Sequence, residues 1–196
     1  MTNLTNNLYK TPVIGFIAPS GTGKTTLIEK IIPLLLEKKI RSAVIKHTHH
    51  DFEIDQPNKD SFKIRKSGAL ETLIVSNNRW ALIHENNHNF DQKKCNLNEL
   101  ILKLDLINIE LIIIEGFKYY GFPRIELHRK ELNNEFLFNT DPNIIAVASD
   151  DIINTPSSIP GLDLNNSMQI IDFILNSIKN NEYYFSIDRV LKQCIF

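Results

Sequence analysis

Short apolar runs alternate with amphipathic stretches along most of this chain, and the alternation predicts an α/β protein. Val13, Ile14, Phe16 and Ile17 form a short, β-favouring run broken by turn residues, the pattern of a strand buried on both faces. Leu27, Ile28, Ile31, Ile32, Leu34 and Leu35 then recur at helical spacing, so an amphipathic helix is expected to about Lys39, kinked at Pro33. Arg41 to Lys46 reads as a second strand, and Asp60 to Ser67 as a short helix with a basic face that Gly68 ends. Ala69 to Ser76 and Arg79 to Ile83 read as strands joined by Asn77-Asn78. That dipeptide tolerates positive φ, so a hairpin is expected, adding an antiparallel edge to a mostly parallel sheet. Leu97, Leu100, Ile101 and Leu104 mark another helix, with Asn96 or Asn98 available as its cap. Ile109 to Glu115, Arg124 to His128 and Ile144 to Ser149 read as three further strands, Pro156 to Gly161 as a loop, and Met168 to Ile178 as the closing helix. The predicted architecture is a mainly parallel twisted sheet of about seven strands, with an antiparallel hairpin and helices on both faces. Residues 1–180 read as one domain and 181–196 as a tail of unassigned role, with Trp80 in the core.

Composition narrows the class without changing the fold. At 196 residues the chain suits one well-buried domain, and its 42% hydrophobic and 23% charged residues are those of an ordinary globular protein. A net charge of −1 gives no field for nucleic acid, and Lys93-Lys94 and His128-Arg129-Lys130 read as solvated surface. No apolar run approaches the ~20 residues of a membrane helix. The N-terminal stretch lacks the charged head and apolar core of a secretion signal. Cys95 and Cys194 stand far apart without a pairing pattern, so a reduced, cytoplasmic setting is expected.

Chemistry concentrates where the first strand meets the first helix. Ala18 to Thr25 has the spacing of a P-loop, with Ala at the first glycine position, and Pro19, Ser20, Gly21 and Gly23 force a tight turn. The N–H groups around Gly21, Thr22, Gly23 and Lys24 can converge on an anion, to which the following helix adds its positive end. Lys24 would reach the β- and γ-phosphates, and the Thr25 hydroxyl would ligate Mg²⁺. Glu115 ends the apolar run IELIIIE, where an acid holds Mg²⁺ through water or orients an attacking water; the bland alternative is a strand-terminal acid meeting solvent. Asp150 follows a late strand, where P-loop GTPases read guanine with an Asp, and a turn cap is the competing account.

The segment after Lys46 is too long and too rich in His47, His49, His50, Asp51, Asp55, Lys59 and Asp60 for a plain connector. It leaves the carboxyl end of a strand, where open α/β sheets hold ligands. Three readings compete: a switch segment sensing nucleotide and Mg²⁺, a transition-metal site, and ordinary surface. His84 and His88 read as solvent-facing.

Together APSGTGKTTL, IKHTHHDFEIDQPNKDSFKIRKSGA, RWALI, LIIIEGFK, IEL and IIAVASD resemble the MobB family of molybdopterin-guanine dinucleotide biosynthesis adapters, over about residues 12–178. The resemblance implies a cytoplasmic, homodimeric P-loop protein that binds GTP with Mg²⁺. It would assist the nucleotidyltransferase that attaches GMP to molybdopterin, and would hydrolyse GTP slowly. Carried over, Ser20, Gly21, Thr22, Gly23, Lys24, Thr25 and Thr26 would hold phosphate. His47, His49, His50, Lys59 and Asp60 would form the characteristic loop, and Glu115 and Lys118 the strand-end motif. Asn58 departs from the Gly usual before Lys-Asp-Ser. Two other functions fit the residues: a small nucleoside or adenylylsulfate-type kinase with Asp60 or Glu115 as base, and a metallochaperone GTPase using His47, His49 and His50.

Overall fold

The computed structural model describes residues 11–48, 51–86 and 96–179. Along the chain run β1 (Val13–Ile17), α1 (Lys24–Glu37), β2 (Ser42–Lys46), α2 (Asp60–Lys66), β3 (Glu71–Val75), β4 (Trp80–His84), α3 (Leu97–Ile101), β5 (Leu111–Glu115), β6 (Arg124–His128), β7 (Ile144–Ser149), β8 (Gly161–Asp163) and α4 (Ser167–Lys179). They fall into two compact units, one of Met1–His47 with Leu97–Phe196 and one of Thr48–Asn96. The tail 181–196 lies outside the described residues.

The first unit is a six-stranded sheet in the order β2-β5-β1-β6-β7-β8, every neighbour parallel. Its central strands are apolar throughout because both faces are covered. Alternate residues of β1 and β5 go to opposite sides: Ile14, Phe16, Leu111 and Ile113 pack with Leu27, Ile31, Ile170 and Ile174 of α1 and α4. Val13, Ile112 and Ile114 pack on the other face with Leu97 and Ile101 of α3. Helices thus cover both faces, as the periodicity predicts. Helix α1 runs through Pro33, whose position is exposed, as is Glu29, the residue whose carbonyl loses its donor. Strand β8, read from sequence as loop, is three residues beside Pro160, too few to display a period.

In the second unit β3 and β4 pair antiparallel in register Glu71↔His84 to Val75↔Trp80. Ser76 N donates to Arg79 O at 2.8 Å across the Asn77-Asn78 turn. Among the described residues this pair is a sheet of its own and not an edge of the parallel one: β3 and β4 bond to each other and to no strand of the six. Trp80 is not core: it is 66% exposed, on a face it shares with Leu73, Val75 and Leu82. The basic face read onto α2 is also broken, because Arg65 is buried, held by Glu53 and Glu85.

Candidate functional site

The carboxyl end of β1 opens into the loop Ala18 to Gly23, and α1 starts at Lys24. Gly21 has φ +82° and Gly23 φ +101°, values that L residues with a Cβ rarely adopt, so the two glycines permit the turn. The loop is braced by its own groups. Thr22 Oγ1 donates to Pro19 O at 2.9 Å, while Lys24 Nζ donates to Ala18 O at 2.8 Å and Pro19 O at 3.0 Å. The first N–H groups of any α-helix have no acceptor within the helix, so those of Lys24, Thr25 and Thr26 face the same mouth.

Parallel register brings two further side chains to that mouth. Lys46, last in β2, pairs with Glu115, last in β5, and Glu115 in turn pairs with Phe16 of β1. Lys46 Nζ is 3.3 Å from Glu115 Oε2 and donates to Thr25 Oγ1 at 3.2 Å. Thr25 Oγ1 lies 3.5 and 3.4 Å from the two Glu115 carboxylate oxygens. Burial holds the Lys24 ammonium below its ordinary pKa; Glu115 opposes that shift and Lys46 adds to it. Ser20, Gly21, Gly23, Lys24, Thr25, Thr26, Lys46 and Glu115 line a cleft of about 400 Å³, within the usual range for a small-molecule site.

Of the residues singled out in the sequence, Ser20, Gly21, Gly23, Lys24, Thr25, Thr26 and Glu115 therefore come together. Thr22 is buried, and its side chain serves the loop. His47 adjoins the site's back: its N–H donates to Glu115 O at 2.8 Å and its ring lies 4.8 Å from that of Phe117. Lys118 is not in the cleft; its Nζ lies 5.3 Å from the Tyr119 ring and its carbonyl accepts from Arg124. Asp150 has both oxygens engaged, Oδ2 by Arg129 Nη1 and Oδ1 by Lys130 N, each at 3.0 Å. The Lys130 amide and the Arg129 guanidinium hold that carboxyl below its ordinary range against partial burial. Lys59 and Asp60 belong to the second unit, exposed at the start of α2. His49, His50, His88, Lys93, Lys94, Cys95 and Cys194 lie outside the described residues. Among the described residues no three His, Cys, Asp or Glu side chains are grouped to hold a metal ion.

Two members of this neighbourhood escaped the sequence reading. Lys46 was legible only as the end of a strand, because nothing in one sequence gives the register that sets it beside Glu115. Arg129, read as solvated surface, instead donates from Nε to Thr22 O at 2.9 Å.

The family model for molybdopterin guanine dinucleotide synthesis protein B matches residues 13–150. The chain is 40% identical to the molybdopterin-guanine dinucleotide biosynthesis adapter protein of Escherichia coli K12, over 84% of this chain and 91% of that protein. It is 36% identical to the adapter protein of Haemophilus influenzae, over 84% and 88%. A crystal structure of molybdopterin-guanine biosynthesis protein B superposes with a TM-score of 0.65 at 27% identity, over 85% of this chain and 99% of that one. The Bacillus subtilis MobB structure shares the fold, with a TM-score of 0.65 at 22% identity over 84% and 96%.

Proposed function

This chain belongs to the MobB family of molybdopterin-guanine dinucleotide biosynthesis proteins, and on that premise we propose that it binds GTP with Mg²⁺ in the β1–α1 cleft. In this reading it works as an adapter for the nucleotidyltransferase that attaches GMP to molybdopterin, in the cytoplasm and as a homodimer. The observation that carries the proposal is the convergence of Lys24, Thr25, Glu115 and the amide end of α1 on one cleft at the carboxyl edge of the sheet.

The donor set suits the ligand. A polyphosphate needs N–H donors and a cation, supplied by the loop, the first turn of α1 and Lys24. Magnesium prefers hard oxygen ligands and keeps several waters, so one hydroxyl and one carboxylate beside a phosphate suffice. Thr25 and Glu115 are that pair, and bound Mg²⁺ would neutralise charge between the outer phosphates. In supporting self-association, the hairpin contributes an apolar face in which Leu73 stands opposite Leu82 and Val75 opposite Trp80.

Titration of fluorescent GTP into purified protein, with and without Mg²⁺, tests the proposal. Saturable, Mg²⁺-dependent binding that Lys24→Ala abolishes is expected, together with GTP-dependent capture of the nucleotidyltransferase. Binding indifferent to both Mg²⁺ and Lys24 would end it.

A further inference from the structure

The peptide joining Thr22 to Gly23 is gripped from outside the loop. Arg129, just past the end of β6, donates from Nε to the Thr22 carbonyl at 2.9 Å. Its Nη2 lies where a Cβ on Gly23 would be only 3.5 Å away, so the guanidinium rests against that residue. The guanidinium is itself fixed by Asp150, at the end of β7, whose second oxygen accepts the Lys130 N–H. Two strand ends thus place one Arg fork against one peptide unit.

A trans peptide holds its C=O and N–H on opposite sides. With the Thr22 carbonyl drawn toward Arg129, the Gly23 N–H must point the other way. Left alone, a peptide between a buried threonine and a glycine at φ +101° could rotate and present its carbonyl oxygen to an anion. An oxygen there would repel phosphate.

We propose that Arg129 and Asp150 form a positioning relay that keeps the Thr22–Gly23 peptide turned with its N–H toward the polyphosphate, so that Asp150 governs affinity for phosphate and does not read the base. The inference rests on the nucleotide-binding reading above and assigns a role to two residues which that reading leaves unused. Asp150 acts through Arg129, and Arg129 acts through the peptide. A lysine at 129 could reach the carbonyl or the carboxylate but lacks the planar fork to bond both.

The test compares three ligands, GTP, XTP and inorganic tripolyphosphate, on the full-length wild type and the variants Arg129→Ala, Arg129→Lys and Asp150→Asn. Each variant's fold is verified by circular dichroism and thermal melting. Tripolyphosphate has no base, so a positioning role predicts the same loss for all three ligands, roughly tenfold or more for Arg129→Ala and less for Arg129→Lys. Asp150→Asn should lie between wild type and Arg129→Ala, again without preference among ligands. The relay is overturned if folded Arg129→Ala binds tripolyphosphate within twofold of wild type, or if Asp150→Asn loses GTP while gaining XTP and keeping tripolyphosphate. Wild type that holds tripolyphosphate but not GTP would sink the guanine-nucleotide reading while leaving the relay measurable. Wild type that holds neither removes both.

Discussion

Gly116 and His47 touch where β5 and β2 end: a Cβ on Gly116 would lie 2.8 Å from the His47 Cβ. Gly116 also has φ +99°, so a side chain there is refused twice, by the neighbour and by its own backbone. The contact seats His47 beside Phe117 and continues the β2–β5 ladder through its N–H to Glu115 O.

Gly116→Ala should therefore cost about 1–3 kcal/mol of stability. Because relief of the overlap displaces the ends of both strands, it should also weaken nucleotide binding through Glu115 and Lys46. Urea unfolding paired with nucleotide titration measures the two effects. An alanine variant as stable as wild type would mean that His47 gives way freely.

A buried clasp holds the loop after Glu115. Arg124 is 1% exposed, and its guanidinium donates to the carbonyls of Phe117, Lys118 and Tyr120 and to Asp141. Arg124→Ala removes one donor from each of three carbonyls and from Asp141, stripping the carboxylate of its buried cationic partner, and should destabilise the protein by about 3–5 kcal/mol. Thermal melting decides this, and a loss well under 1 kcal/mol would contradict it.

Acid sensitivity should follow the same clasp. Burial pushes the Asp141 carboxyl up, but hydrogen bonds from Asn143 and from Arg124 outweigh it, and the group sits below its ordinary pKa. A depressed folded value means that its contribution is complete above the unfolded value of about 3.9 and is lost as pH falls through the folded value. Asp141→Asn should thus be less stable than wild type at pH 6, and the gap should narrow steadily below pH 4. Urea midpoints across that range would show it; a gap independent of pH would assign Asp141's contribution elsewhere.

Much of this was legible in the sequence, for identifiable reasons. Leu111 to Ile114 read as a central strand because four consecutive apolar residues need two covered faces, and Gly21 and Gly23 read as a loop because only glycine is easy at those φ angles. Asn58, where the family's usual residue is Gly, proves to have φ +77°, a value Asn tolerates better than most residues. What stayed hidden depends on register and distance. Lys46 meets Glu115 across 69 positions and Arg129 meets Thr22 across 107, and no periodicity encodes either. Trp80 was misplaced because hydrophobicity predicts burial without saying which surface does the burying.

Lys46 should compete with magnesium. Its ammonium is shared between Glu115 and Thr25, the two groups proposed to face the metal, so Mg²⁺ must displace it. Lys46→Met removes the competitor, and the Mg²⁺ concentration for half-maximal GTP binding should fall by about fivefold, the worth of a half-exposed ion pair. A magnesium titration at fixed fluorescent GTP tests this, and a requirement that rises would instead make Lys46 a direct phosphate ligand.

The hairpin offers the last prediction. Leu73, Val75, Trp80 and Leu82 are all exposed on one face of β3 and β4, and such a cluster is costly to leave in water. If two copies cover it, Leu82→Lys sets like charges within the apolar interface and should shift the protein from dimer to monomer at micromolar concentration. Because Leu82 does not line the phosphate cleft, affinity for tripolyphosphate should be unchanged. Sedimentation velocity distinguishes the outcomes: a Leu82→Lys protein still wholly dimeric would place the self-contact on another surface.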